Sequence, residues 1–447
     1  MSNRTTFATK LGVIAATVGS AVGLGNIWRF PYETGQNGGA AFLLVYLICV
    51  FVIGVPVMIA EFTIGRKAKA NANKAYKILS PGTHWNITGI MGIFASIFIL
   101  GFYSVIAGWT LEYVFQALTN GLAGKSASDF QQAFTGFSSD TFRPLMWIFL
   151  FLAINYFIVS RGVKDGIEKA SNILTPLLFV ILIVFCIRSL FLPGAGEGLK
   201  FLFHPDFSKI DSGVILRAMG QAFFSLSLGM GTLTTYASYF SDKTNLSKTA
   251  VTVGILDTVV AILAGVLIFP AAFSFGIDPS QGPELVFITL PNIFQHLPGS
   301  YFWSVLFFVL LSVAALTSTI SLCEVGVAYL HEELGITRKK ATRILIVVCI
   351  ISSTLCSLSF GVLKDFKIFG LTIFNFCDFS ASNILLPLGG LLIAIYVGWK
   401  LNKKLVLDEV SNRQTLNVRF FKILLFCIRY VAPIAITLIF LSGLGLF

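Results

Sequence analysis

Apolar stretches of about 20 residues, each long enough to cross a hydrocarbon core of roughly 30 Å as a helix, recur along the chain between short polar clusters. Runs such as 173–186 and 251–275 are almost continuously apolar. A membrane β-barrel would instead show segments of about 10 residues that alternate between polar and apolar. The pattern therefore predicts an all-α polytopic membrane protein with eleven spans, over residues 10–34, 40–65, 85–118, 142–160, 166–189, 212–240, 249–275, 301–329, 341–361, 368–399 and 420–443. The loop 194–211 and the stretch 282–298 mix apolar with turn residues and suit short outer helices. The polar stretch 403–417 carries no readable chemistry.

Two spans are interrupted at similar places. The first reads Gly19-Ser20-Ala21-Val22-Gly23-Leu24-Gly25-Asn26, and the sixth Phe224-Ser225-Leu226-Ser227-Leu228-Gly229-Met230-Gly231. Each glycine costs a helix about 1 kcal/mol relative to alanine. Backbone groups released at membrane depth persist only where they line a cavity or bind something. Close helix packing through small residues is the alternative, and it loses ground because the two interruptions match. The interrupted spans are five apart, and an odd repeat length inverts the second copy. The expected architecture is one transporter domain over 1–447, with inverted repeats over 10–189 (spans one to five) and 212–399 (spans six to ten), followed by an added span at 420–443. Binding sites in such folds sit near the midplane, at the broken helices.

Composition agrees with lipid as the main solvent. Of the 447 residues, 56% are hydrophobic and 12% charged, against about 25% charged in a soluble domain. The net charge of +11 raises the question of a nucleic-acid partner, but its placement argues against one. With the N-terminus in the cytoplasm, 22 of the 32 Lys and Arg fall inside and seven outside, while Arg29, Arg217 and Arg429 lie in or beside spans. This positive-inside asymmetry sets the orientation and leaves the C-terminus outside. The seven cysteines lie in apolar spans without a CxxC pair, and His84, His204, His296 and His331 are mutually distant, so neither a disulfide framework nor a zinc site is indicated. Glycosylation acceptors begin at Asn3, Asn86 and Asn245, all on the inner side, and modification is not expected. A signal-peptide reading of the first span is weak, because the span continues into Arg29. No nucleophile, base and orienting group occur at readable spacing, so enzyme chemistry is not expected.

The run Gly23-Leu24-Gly25-Asn26-Ile27-Trp28-Arg29-Phe30-Pro31, followed by Asn37-Gly38-Gly39, Gly54-x-Pro56, Glu61 and Gly65-Arg66, resembles the neurotransmitter:sodium symporters. The likeness extends through 221–239, Leu316-Thr317-Ser318 and Asp378, so it covers nearly the whole chain. It implies a LeuT-like five-plus-five inverted repeat with an eleventh transmembrane helix in a bacterial cytoplasmic membrane. It also implies symport of sodium with an amino acid and no organic cofactor.

Two sodium ions are implied by the resemblance. One would be held by the backbone carbonyls of Gly19, Val22 and Ala314 with the hydroxyls of Thr317 and Ser318, the oxygen ligands a hard cation needs. In an apolar helix such hydroxyls otherwise bond back to the i−4 carbonyl. The second ion would touch the substrate and meet the carbonyl of Ala21, the side chain of Asn26, the oxygens of Ser225 and Asp257. Asp257 stands where the family commonly has Asn. Ala261 stands where chloride-dependent relatives carry the serine of an anion site beside Tyr46, Gln221 and Ser225. A carboxylate that supplies the negative charge makes chloride dispensable.

Backbone N–H groups of Leu24 and Gly25 at the break, together with a sodium ion, suit a substrate carboxylate. Gly23 replaces the aspartate of the family's monoamine carriers. The substrate ammonium would meet carbonyls around Phe224 and Ser227. The side-chain pocket implied by the resemblance is Ile99, Tyr103, Phe224, Ser227, Met230, Ser318 and Leu322, with Ala21, Gly23, Leu24, Gly25 and Ser225 completing the substrate contacts. Its apolar walls favour a hydrophobic amino acid, and the flexible Met230 admits tyrosine, phenylalanine or tryptophan.

Tyr103 and Phe224 resemble the family's outer aromatic lid. Arg29 with Asp378 resembles the outer polar gate and Arg4 with Glu332 the inner one, each able to close a water path by a charge-assisted hydrogen bond. Phe7 replaces the usual inner tryptophan, which leaves Ser238 and Tyr239 without an indole N–H and predicts weaker inner closure. Gly166 and Pro176, spaced Gly-x9-Pro, mark a route for inner sodium release through local loss of helix bonding. The expected mechanism is alternating access, in which sodium and amino acid bind together and one helix bundle rocks. Competing readings are an amino-acid sensor or channel-like protein without concentrative transport, and a proton-coupled carrier of the same fold that uses Asp257 or Glu61. Stoichiometry, the preferred amino acid and oligomeric state are not legible.

Overall fold

A computed structural model describes residues 5–276, 285–295, 297–417 and 419–446. Among these, nine helices are long and apolar enough to cross a membrane, and the bent pair Lys10–Ala21 with Gly25–Gln36 makes a tenth crossing with a 52° break. The sixth span completes the set of eleven. It is not continuous over 212–240: its halves are Ser212–Ser225 and Thr232–Ala237, separated by six residues of turn. Several helices start earlier than the apolar pattern alone predicts, because a polar N-cap extends them. Asn245 accepts from Lys248 N at 2.9 Å and starts the seventh span at Leu246. Thr337 caps the ninth span, which starts at Arg338.

The third and eighth spans, Asn86–Leu118 and Ser300–Leu334, are each 72% buried over their most apolar window, whereas Arg143–Ser160 and Phe421–Gly443 are 33% buried. The first pair is therefore the centre of the bundle, and the fourth and eleventh spans are its lipid-facing rim. Helix Ala195–Phe203 forms in the outer loop where one is expected, and Leu290–Gln295 lies in the stretch 282–298, of which 282–284 and 296 fall outside the described residues. Three further helices, Ala72–Leu79, Ala127–Ser139 and Lys403–Val410, are not visible in the hydropathy pattern. The last of these has a structural role. Its Glu409 is buried against Arg66 at the end of the second span, with Arg66 Nε 2.7 Å from Glu409 Oε2. Arg66 Nη1 also donates to Asn412 Oδ1 at 2.9 Å.

The breaks follow from local backbone chemistry and are held by a neighbour. Val22 is extended at φ −71°, ψ 115°. In the sixth span Ser227, Gly229 and Gly231 all have positive φ, at 55°, 80° and 75°, a region that favours glycine. Such a break releases N–H groups that are costly to leave unpaired in an apolar medium. The fully buried Glu61 of the second span receives them: Oε1 accepts from Gly229 N at 2.8 Å, and Oε2 from Thr234 N at 3.3 Å and Thr234 Oγ1 at 3.0 Å. A Cβ on Gly65 would lie 2.0 Å from Thr234 O, so glycine is what lets the second span approach this closely. Glu61→Ala strands three donors at about 1–3 kcal/mol each. The expected outcome is a large drop in the melting temperature of the detergent-solubilised protein, with Glu61→Gln intermediate; an unchanged melting curve for the alanine variant would contradict this role. In the fifth span, a π-helical turn at Val163–Glu168 contains Gly166, and the helix Lys169–Ser189 runs intact through Pro176.

Candidate functional site

The two breaks face each other and are tied by hydrogen bonds. Ser227 Oγ donates to Ser20 O at 2.9 Å, Gln221 Nε2 to Gly25 O at 3.3 Å, and Asn26 Nδ2 to Ser225 Oγ at 2.9 Å. Between them lies a cavity lined by Ser20, Ala21, Gly23, Gly25, Ile99, Tyr103, Phe224, Ser225, Ser227, Met230, Ser318 and Leu322. Every residue expected at the substrate lines it except Leu24, whose N–H is directed at Tyr103 Oη at 3.0 Å. Ser20 is the addition, and its place inside the broken run was the available signal. A Cβ on Gly23 would lie 2.4 Å from Ser318 Oγ and 3.0 Å from Tyr103 Oη. The walls formed by Ile99, Met230 and Leu322 are buried and apolar.

Oxygens of the first and eighth spans converge at one point. Val22 O accepts from Thr317 Oγ1 at 3.4 Å and from Ser318 Oγ at 3.3 Å. Thr317 Oγ1 also lies 3.0 Å from Ala314 O and 3.3 Å from Val313 O, so it bonds back along its own helix while it reaches across. A Cβ on Gly19 would lie 3.3 Å from Thr317 Cβ, which brings that glycine to the same cluster.

A second polar cluster surrounds Asp257, which is fully buried. Its Oδ1 accepts from Asn26 Nδ2 at 2.7 Å, and its Oδ2 from Ser225 Oγ at 2.8 Å and Tyr46 Oη at 3.2 Å. Asn26 Oδ1 in turn accepts from Gly23 N at 3.0 Å. No arginine or lysine pairs with Asp257 among the described residues. Tyr46, Ser225 and Asp257 thus come together as expected of neighbours, while Gln221 turns to Gly25 O and the Ala261 side chain offers no polar atom.

Toward the predicted outer side, the Arg29 guanidinium sits over the Phe224 ring, 4.5 Å from its centre, and Arg29 Nε is 3.9 Å from Glu33 Oε1. Arg29 and Asp378 do not form an ion pair here; Asp378 accepts from Ser382 Oγ at 3.0 Å. The expected direct contact is replaced because Arg29 is held by its own i+4 carboxylate and by the ring of the lid.

At the predicted inner side Arg4 lies outside the described residues, and Glu332 Oε2 accepts from Asn71 N at 2.8 Å and Asn71 Nδ2 at 3.1 Å. Phe7 is buried and meets Tyr236 and Tyr239 edge-on, with ring centres 5.9 and 6.2 Å away. With no indole N–H present, Ser238 and Tyr239 take other partners. Phe7 N donates to Tyr239 O at 3.1 Å, Tyr239 Oη donates to Glu324 Oε1 at 2.6 Å, and Ser238 Oγ bonds to Thr235 O. Glu324, with its partner Arg338, went unread in the sequence although a glutamate inside a membrane helix is a signal in itself.

A cavity between two broken, facing helices is the arrangement of an inverted-repeat secondary transporter. The chain belongs to the sodium:neurotransmitter symporter family, whose model matches residues 4–133 and 138–446. It is 38% identical to YhdH, an uncharacterized sodium-dependent transporter of Bacillus subtilis, over 98% of both chains. It is 37% identical to an uncharacterized sodium-dependent transporter of Haemophilus influenzae, over 99% of this chain and 98% of that one. The crystal structure of MhsT in complex with L-phenylalanine is similar at a TM-score of 0.91 and 48% identity, covering 99% of this chain and 100% of that one. The protein is a sodium-dependent symporter with the LeuT-like fold, not an enzyme.

Proposed function

We propose that the protein brings a hydrophobic L-amino acid, aromatic ones included, into the cell with two sodium ions, by alternating access and without need of chloride. The observation that carries this reading is the cavity itself: peptide groups of two broken helices on one side, and the apolar Ile99, Met230 and Leu322 on the other. A zwitterion needs the first and an apolar side chain the second. The similar MhsT structure holds L-phenylalanine, which supports the same class of substrate.

In this reading one sodium ion, as co-transported cargo, is taken by Gly19, Val22, Ala314, Thr317 and Ser318. The other is taken by Ala21, Asn26, Ser225 and Asp257 beside the substrate carboxylate, which faces Leu24 and Gly25. Arg29 and Phe224 close the outer path; Phe7, Tyr239 and Glu332 close the inner one, with the N-terminus on the cytoplasmic side of a bacterial inner membrane.

The test is uptake of a panel of labelled amino acids into proteoliposomes at fixed pH. Phenylalanine, tyrosine, tryptophan or leucine should accumulate above equilibrium under an inward sodium gradient, and not when potassium replaces sodium. Accumulation driven by a proton gradient without sodium would favour the proton-coupled reading through Asp257 or Glu61. Binding without accumulation would favour a sensor.

A further inference from the structure

Arg429 lies within the membrane span Phe421–Gly443, yet no carboxylate pairs with it among the described residues. This sets it apart from Arg66, Arg143, Arg217 and Arg338, each of which has a glutamate partner. The side chain is nonetheless firmly placed. Arg429 Nε donates to Gly398 O, and Trp399 Nε1 donates back to Arg429 O at 3.1 Å. The Arg429 guanidinium carbon is 5.7 Å from the centre of the Trp399 ring, and Tyr430 meets that ring edge-on at 5.3 Å.

Both helices make π-helical turns at this point, Tyr396–Lys400 and Cys427–Val431. A Cβ on Gly398 would lie 3.0 Å from Arg429 Cγ, so glycine permits the close approach.

Capping explains only part of this. The tenth span ends at Lys400, so Gly398 O is one of its unpaired terminal carbonyls, and Arg429 Nε serves it. A guanidinium has five N–H donors, and the four on the Nη atoms have no protein partner among the described residues. They sit at the level where the tenth span emerges, beside Trp399 and Tyr430, which are 57% and 44% exposed. Lys400 and Lys422 are exposed on the same end of the two helices. A half-exposed tryptophan and tyrosine mark the headgroup level of a bilayer, and a guanidinium fork matches phosphate geometry.

We propose that Arg429, with Trp399, Lys400 and Lys422, binds the phosphate of an anionic phospholipid in the leaflet that meets the inner ends of spans ten and eleven. The lipid phosphate takes the Nη donors, the two lysines add positive potential around the same anionic headgroup, and the acyl chains run along Phe426 and Tyr430. This site is separate from the transport cavity and does not depend on what the cavity carries.

Native mass spectrometry of the full-length protein tests it, with phosphatidylglycerol and phosphatidylcholine of matched acyl chains as probes and inorganic phosphate as the soluble alternative. Phosphatidylglycerol should be retained in clear preference to phosphatidylcholine. Arg429→Gln and Lys422→Gln should each lower that preference about fivefold, the scale of one cation near an anionic headgroup. Inorganic phosphate at millimolar concentration should not displace the lipid. Equal retention of the two lipids by the unaltered protein would overturn the proposal, as would an undiminished preference in Arg429→Gln. Displacement by inorganic phosphate would overturn the lipid as occupant. The wild-type comparison and Lys422→Gln stand even if Arg429→Gln is poorly folded, since Lys422 is exposed.

Discussion

Asp257→Asn is expected to make uptake depend on chloride, so that it fails in gluconate medium. Asp257 is fully buried and its carboxylate accepts three hydrogen bonds, from Asn26, Ser225 and Tyr46, with no cationic side chain against it among the described residues. Such a charge is costly at membrane depth unless a cation comes to it, and sodium beside Asn26 and Ser225 is the cation the proposed function supplies. Two unit charges 4 Å apart attract by about 4 kcal/mol at an effective dielectric constant of 20. Neutralising Asp257 should therefore weaken sodium binding by up to about a thousandfold in the absence of another anion. Adding chloride should restore part of the uptake, and Ala261→Ser should improve that restoration by returning a hydroxyl to the site. Uptake by the unaltered protein that stops in gluconate, or Asp257→Asn uptake that is indifferent to chloride, would each remove the charge-substitution argument.

Gly23→Asp should abolish amino-acid binding. A Cβ at this position would lie 2.4 Å from Ser318 Oγ, which lines the cavity. Overpacking costs typically about 1–3 kcal/mol, and a carboxylate placed beside that of the substrate adds like-charge repulsion. Together these predict a loss of affinity greater than about a hundredfold, read by equilibrium binding of labelled phenylalanine in saturating sodium. Gly23→Ala carries the steric cost alone and should lose about tenfold. If both variants lost affinity equally, the carboxylate-recognition part of the proposal would fail while the steric part survived. If Gly23→Asp bound normally, the substrate would have to sit elsewhere.

The long spans and the two interruptions are legible in the chain because both are local properties. Apolar length selects a membrane helix. Gly229 and Gly231 supply the positive φ that the sixth-span turn requires. The helices Ala72–Leu79 and Lys403–Val410 escape such a reading because they are short and polar, and their stability comes from what they dock against. For Lys403–Val410 that partner is Arg66, which pairs with a glutamate 343 residues away.

Hydropathy and helix-breaking residues by themselves determined an all-helical membrane protein with eleven crossings and a break in the first and sixth. Only the tertiary structure decided which polar groups meet. Asp257 is joined to Asn26 across 231 positions and to Tyr46 across 211, and Glu61 reaches Gly229 across 168. Tyr239 meets the buried Glu324 across 85 positions, a pairing that neither residue's neighbours reveal. The physical reason is that burial and backbone propensity act on a residue and its near neighbours, whereas a buried donor takes whichever acceptor the packing of distant helices brings within about 3 Å.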